Sequence, residues 1–138
     1  MNEKEVFAHM GEEGIGRMVH AFYQRVKEDD LIGPMYPEGE WEQSEWRLRE
    51  FLNFRIGGVP RYIEKRGHPR LKMRHVPFSI GFAERDRWVK LMGEAMDEIE
   101  LAENVKGQLL PFLATIADNM RNRDESGSGS GGALNFLK

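Results

Sequence analysis

The run Gly67-His68-Pro69-Arg70-Leu71-Lys72-Met73-Arg74-His75-Val76-Pro77-Phe78 sets one histidine at the end of a short basic, partly apolar segment, just ahead of a proline. On a helical turn Leu71 and His75, four apart, share a face. Pro77 disfavours helical backbone at Val76, which places the imidazole at or near a helix end. A neutral imidazole held this way can reach into a cavity and ligate a metal. Arg70, Lys72 and Arg74 around it suit a cofactor carrying carboxylates, of which haem is one. A lone histidine beside a proline is more often a structural or surface residue, so spacing by itself does not establish a ligand.

The elements that must position such a residue are helical. Ile15, Met18, Val19, Phe22, Tyr23 and Val26 fall at the spacing of one apolar helix stripe. Trp88, Leu91, Met92, Ala95, Met96 and Ile99 repeat it, as do Leu109, Phe112, Leu113, Ile116, Ala117 and Met120. A further helix is expected from about Glu40 to Ile56, with Leu48, Phe51, Leu52 and Ile56 on its buried face. Gly33-Pro34 and Pro37 break the chain after the first long helix, and Gly57-Gly58 ends the next. Residues 59–82 hold three prolines and two glycines, so only short helical pieces fit there. Pro111 falls inside the last stripe and predicts a bend or break near Gly107 to Pro111. No strand-length alternation appears, and the chain reads as all-α.

Composition narrows the function classes. At 138 residues the chain suits a single domain with one core. Its net charge of −3, with both signs interspersed, argues against nucleic acid or an anionic membrane as the main partner. No apolar run approaches the roughly 18 residues of a membrane span. The opening Met-Asn-Glu-Lys-Glu lacks the order of a signal peptide. With no cysteine, disulfides, thiolate metal sites and cysteine nucleophiles are excluded together, and a cytoplasmic setting is expected. Residues 1–123 are read as one domain. Residues 124–138 begin with a Ser/Gly-rich run that offers no core side chains and are expected to form a flexible tail, with Leu134, Phe136 and Leu137 near its end.

Four motifs in order carry a family resemblance. The run from Gly67 to Phe78 resembles the proximal-histidine segment of the group II truncated haemoglobins. Glu84-Arg85-Asp86-Arg87-Trp88 is similar to that group's second signature, and Phe22-Tyr23 and Tyr36-Pro37-Glu38 match upstream. The likeness runs from about Gly11 to about Met120 without an evident gap. It implies a two-over-two helical sandwich around haem b, with His75 as the proximal iron ligand and the opposite position open. The carbonyl of Leu71, one turn back, is the expected partner of the second imidazole nitrogen.

On the distal side the resemblance assigns Tyr23, Tyr36 and Trp88 as polar aromatics facing a bound gas. By periodicity alone Tyr23 and Trp88 would be plain core residues. Ser44 corresponds to the distal gate and Leu48 to an apolar neighbour of the iron. Phe51, Leu52 and Phe78 would contact the macrocycle, while Arg47, Arg74 and Tyr62 would hold its propionates. His9, His20 and His68 are expected to be solvated or turn residues. The implied function is binding of dioxygen and other diatomic gases such as CO and NO. The alternative is a redox enzyme, a nitric oxide dioxygenase or peroxidase-like, served by an external reductase. A monomer or homodimer is expected. The chain departs from the group at Met10-Gly11 where a Gly-Gly pair is common, at Ile56 where Trp is frequent, at Val59 before Pro60, and at Pro111.

Overall fold

In the computed structural model the described residues are 1–68 and 79–122. Leu71, Arg74, His75, Phe78 and the tail therefore lie outside the described residues. Helix α1 spans Glu3–Glu28, α2 Trp41–Gly57, α3 Arg61–Arg66, α4 Phe82–Glu98 and α5 Glu103–Asn119, with a 3-10 turn at Gly33–Met35. No strand occurs among the described residues. Among these residues no helix is long and apolar enough to cross a membrane.

Local chemistry explains the boundaries. Asn2 caps α1 by accepting the Glu5 N–H at 3.1 Å. At Gly11, with φ +61° and ψ 179°, α1 bends out of helical backbone, a conformation glycine adopts without steric cost. The departure Met10-Gly11 thus marks a kink, and helical structure begins well before the apolar stripe. After α1 the Asp29 carboxylate accepts the N–H groups of Leu31 and Ile32 at 3.0 and 2.9 Å, fixing the turn that leads to Tyr36. A side chain at Gly33 would come within 2.6 Å of the Val26 carbonyl oxygen, so only glycine fits this return. Gly58 (φ +71°) closes α2 in the left-handed region, its N–H donating to Phe54 O at 2.9 Å.

Helix α1 is central. It packs against α2 on one side and α4 on the other, and α4 packs against α5. All six stripe residues from Ile15 to Val26 are fully buried. Leu48, Phe51, Leu52 and Ile56 of α2 join them, with Trp88, Met92, Ala95 and Met96 of α4. The break expected near Pro111 is not found, because α5 continues as one helix through it. Both Pro111 and Gly107, whose carbonyl loses its partner at the proline, are exposed, so water can take the place of the missing N–H.

One buried charge ties three helices together. Glu50 on α2 accepts from Arg61 Nε at 2.9 Å and Arg49 Nε at 3.3 Å, and Arg61 also pairs with Glu12 of α1. Burial alone would raise the Glu50 carboxyl; the bonds from Arg61, Arg49 and Asn53 outweigh it and hold the group below its ordinary value. A carboxylate lowered on folding contributes stability above its unfolded pKa of about 4.3 and loses it as pH falls through the folded value. Glu50→Ala is expected to cost about 1–3 kcal/mol at pH 7, towards the lower end because Arg61 is half exposed. Urea unfolding at pH 7 and pH 3 checks this: the gap from wild type should shrink on acidification. An equal gap at both pH values would mean that the carboxylate charge is not what matters.

Candidate functional site

Three elements converge on one aromatic cluster. Tyr23 enters from α1, Tyr36 from the end of the 3-10 turn, and Trp88 from α4, and all three are buried. The Tyr23 and Tyr36 rings meet edge-on at 5.6 Å, and Phe22 sits between Tyr23 at 5.2 Å and Trp88 at 5.0 Å. These edge-to-face contacts hold the rings at fixed angles. The hydroxyls of Tyr23 and Tyr36 are fully buried, and neither has a partner at hydrogen-bonding geometry among the described residues. Burial pushes both phenols up. Tyr36 adds to the rise at Tyr23, and Tyr23 and Trp88 pull Tyr36 part of the way back. Both stay protonated at neutral pH and remain O–H donors.

Helix α2 supplies the adjoining wall. Ser44 and Leu48 are buried one turn apart, followed by Phe51 and Leu52. Tyr62 of α3 is buried against this wall, its ring edge-on to Phe51 at 5.8 Å. Arg47, whose side chain is only 14% exposed, bonds through Nε to Gln43 O at 3.2 Å. Beside it opens a pocket of about 520 Å³ lined by Glu42, Gln43, Trp46, Arg47, Lys65 and Arg66. Lys65 Nζ lies 4.6 Å from the centre of the Trp46 ring.

Sequence reasoning passed over Trp46, Lys65 and Arg66. Lys65-Arg66 stands directly before Gly67-His68-Pro69, so the basic character of the His75 run could have been followed further back. Trp41 was also missed; it stacks on Tyr36 at 5.6 Å and 29°, and no helical spacing links the two.

The other histidines are placed as expected where they can be seen. His9 is exposed, and His20, 60% exposed, faces Glu45 at 3.2 Å. His68 is exposed as well. Among the described residues no group of three or more His, Asp or Glu side chains could hold a metal ion.

The second signature resolves into separate tasks. Glu84 reaches back to accept the Gly81 N–H at 2.7 Å and caps α4. Arg85 bonds to Asp118 of α5 at 2.5 Å, and Arg87 to Asp29 beyond α1 at 2.5 Å. Arg87 thereby braces the turn that carries Tyr36, while Trp88 points into the aromatic cluster.

A model of the bacterial-like globin family matches residues 5–122. Over 117 residues the chain is 35% identical to Group 2 truncated hemoglobin YjbI of Bacillus subtilis, covering 85% of this chain and 88% of that one. The chain is a group II truncated haemoglobin. The structure of a truncated oxygen-avid haemoglobin from Bacillus subtilis superposes with a TM-score of 0.79 at 34% identity, over 85% of this chain and 98% of that one. A thermostable haemoglobin from Thermobifida fusca gives 0.80 at 42% identity, over 85% and 96%. Membership of the family makes this truncated haemoglobin a haem-binding globin with a two-over-two helical sandwich, and globins bind diatomic gases such as dioxygen.

Proposed function

We propose that this truncated haemoglobin holds haem b through His75 and binds dioxygen, and other diatomic gases such as carbon monoxide and nitric oxide, beside Tyr23, Tyr36 and Trp88. The observation that carries the reading is the pair of buried phenol hydroxyls that have no partner at hydrogen-bonding geometry among the described residues. Each such group costs about 1–3 kcal/mol in the folded chain. A core aromatic needs no hydroxyl, so a cluster that keeps two of them unsatisfied suits a polar guest. Haem, when bound, supplies an iron whose open position takes the gas.

The chain's own residues do the rest. Tyr23 and Tyr36 offer O–H donors and Trp88 an N–H donor, on rings that keep water out. Leu48, Phe51, Leu52 and Tyr62 give the apolar wall for the macrocycle, with Leu71 and Phe78 expected to contribute from beyond the described residues. Arg47, Lys65 and Arg66 line one pocket and suit a carboxylate edge, with Arg74 as a further anchor. Ser44 is small and leaves a short way in from α2. The Bacillus subtilis haemoglobin described as oxygen-avid is similar over most of this chain, which supports dioxygen as the first ligand.

Absorbance spectra of the haem-supplemented protein, oxidised, reduced, and reduced under carbon monoxide, test the reading. A sharp Soret band that shifts cleanly with carbon monoxide is expected. A spectrum indistinguishable from free haem would overturn the proposal.

A further inference from the structure

Ile80 is fully buried, and both of its backbone polar groups are bonded to one residue 42 positions away. Its N–H donates to Asn122 Oδ1 at 2.8 Å, and its carbonyl accepts from Asn122 N, also at 2.8 Å. The neighbours reinforce the hold. The Phe82 ring has Arg121 at 4.0 Å and Arg85 at 4.7 Å, and both guanidiniums bond to Asp118, at 2.7 and 2.5 Å. Residues 118–122, the last turn of α5 and the chain just past it, thus grip residues 80–85.

Packing of α4 on α5 does not require this arrangement. Apolar side chains such as Leu91, Met92, Leu109 and Leu113 are buried along those two helices away from the ends that meet at Ile80. A double backbone bond does something packing cannot: it fixes the position and the direction of the main chain. The location is telling, because His75 lies only five residues before Ile80 in the chain. On the other side, Gly67 ends α3 with its N–H donating to Ile63 O at 2.8 Å. The stretch carrying the proposed iron ligand is therefore strung between two held points, and Asn122 holds the nearer one. Five residues reach at most about 18 Å, so where Ile80 sits limits where His75 can be.

We propose that Asn122 is a positioning residue for the haem ligand, anchoring at Ile80 the chain that carries His75. The proposal rests on the reading of His75 as the proximal ligand. Asn122→Leu keeps the size and the backbone N–H but removes the acceptor, whereas Asn122→Asp retains an oxygen for the Ile80 N–H.

Three readouts decide. They are haem transfer to excess apomyoglobin, the iron–histidine stretching band of the ferrous protein by resonance Raman, and urea unfolding of the haem-free chain. Asn122→Leu should lose haem roughly five- to hundred-fold faster, the range for a buried N–H left unpaired, with a shifted iron–histidine band. Asn122→Asp should restore both towards wild type. If the Leu variant only unfolds at lower urea, with haem loss and Raman band unchanged, Asn122 is merely structural and the proposal falls. Equal effects of Leu and Asp would also overturn it. A wild-type protein with no iron–histidine band would sink the His75 reading first, and this proposal with it.

Discussion

His75→Ala is expected to cost the chain its stable haem. The proximal ligand is the one covalent link between protein and iron in the proposed site; the macrocycle is otherwise held by apolar contact and by cations at its edge. Loss of a partner that merely orients a metal ligand costs 10- to 100-fold in metal affinity. Removing the ligand itself should exceed the upper end, so about a hundred-fold or more in haem retention. Gel filtration of the loaded variant, followed by haem transfer to apomyoglobin, measures this directly. Added imidazole should recover part of the Soret band by entering the space the side chain leaves. A variant that keeps haem at the wild-type rate would remove His75 from the site, and attention would pass to the exposed His68 a few residues upstream.

Tyr36→Phe should move stability and ligand retention in opposite directions. The Tyr36 hydroxyl is buried with no partner at hydrogen-bonding geometry among the described residues, so deleting it relieves a desolvation cost of up to about 1–3 kcal/mol when no gas is bound. The ring contacts with Tyr23 and Trp41 survive the change. The unliganded protein should therefore melt a few degrees higher. On the proposed reading the same hydroxyl would donate to bound dioxygen, which carries partial negative charge, and a bond of that kind contributes about 1.5–3 kcal/mol. Its loss should speed dioxygen dissociation roughly ten- to hundred-fold. Because burial keeps the phenol protonated, the effect should not vary between about pH 6 and 9. Stopped-flow displacement by carbon monoxide and a thermal melt of the deoxy protein give the two numbers. A lower melting temperature with an unchanged off-rate would mark Tyr36 as an ordinary core aromatic. Sites that trade stability for activity show the pattern expected here.

Much of the fold was legible from residue spacing. Ile15 to Val26 and Trp88 to Met96 are buried as the helical stripes require, because a helix face repeats every three or four residues and that rule acts within a single turn. Gly57-Gly58 ended α2 where the pattern placed it, since a left-handed residue is needed there. Pro111 misled only as to a break: α5 runs on through it, with the carbonyl it leaves unbonded open to water. Met10-Gly11 departs from the family pattern, yet the role of Gly11 as the kink in α1 appears only in three dimensions.

The site divides along the same line. The amino-acid sequence by itself determined the helices and the family, which are matters of periodicity and motif, and the family resemblance nominated Tyr23, Tyr36, Ser44, Leu48 and Trp88 as site candidates. Tertiary structure alone decided that Tyr23 and Tyr36 bury hydroxyls with no partner at hydrogen-bonding geometry among the described residues, and that Lys65 and Arg66 line a pocket with Arg47. It alone paired Glu50 with Arg61, Arg87 with Asp29, and Asn122 with Ile80. The partners in these pairs stand 11, 58 and 42 residues apart. No spacing rule spans such distances, because which polar groups meet is settled by how the helices pack and by the cost of leaving a buried group unpaired.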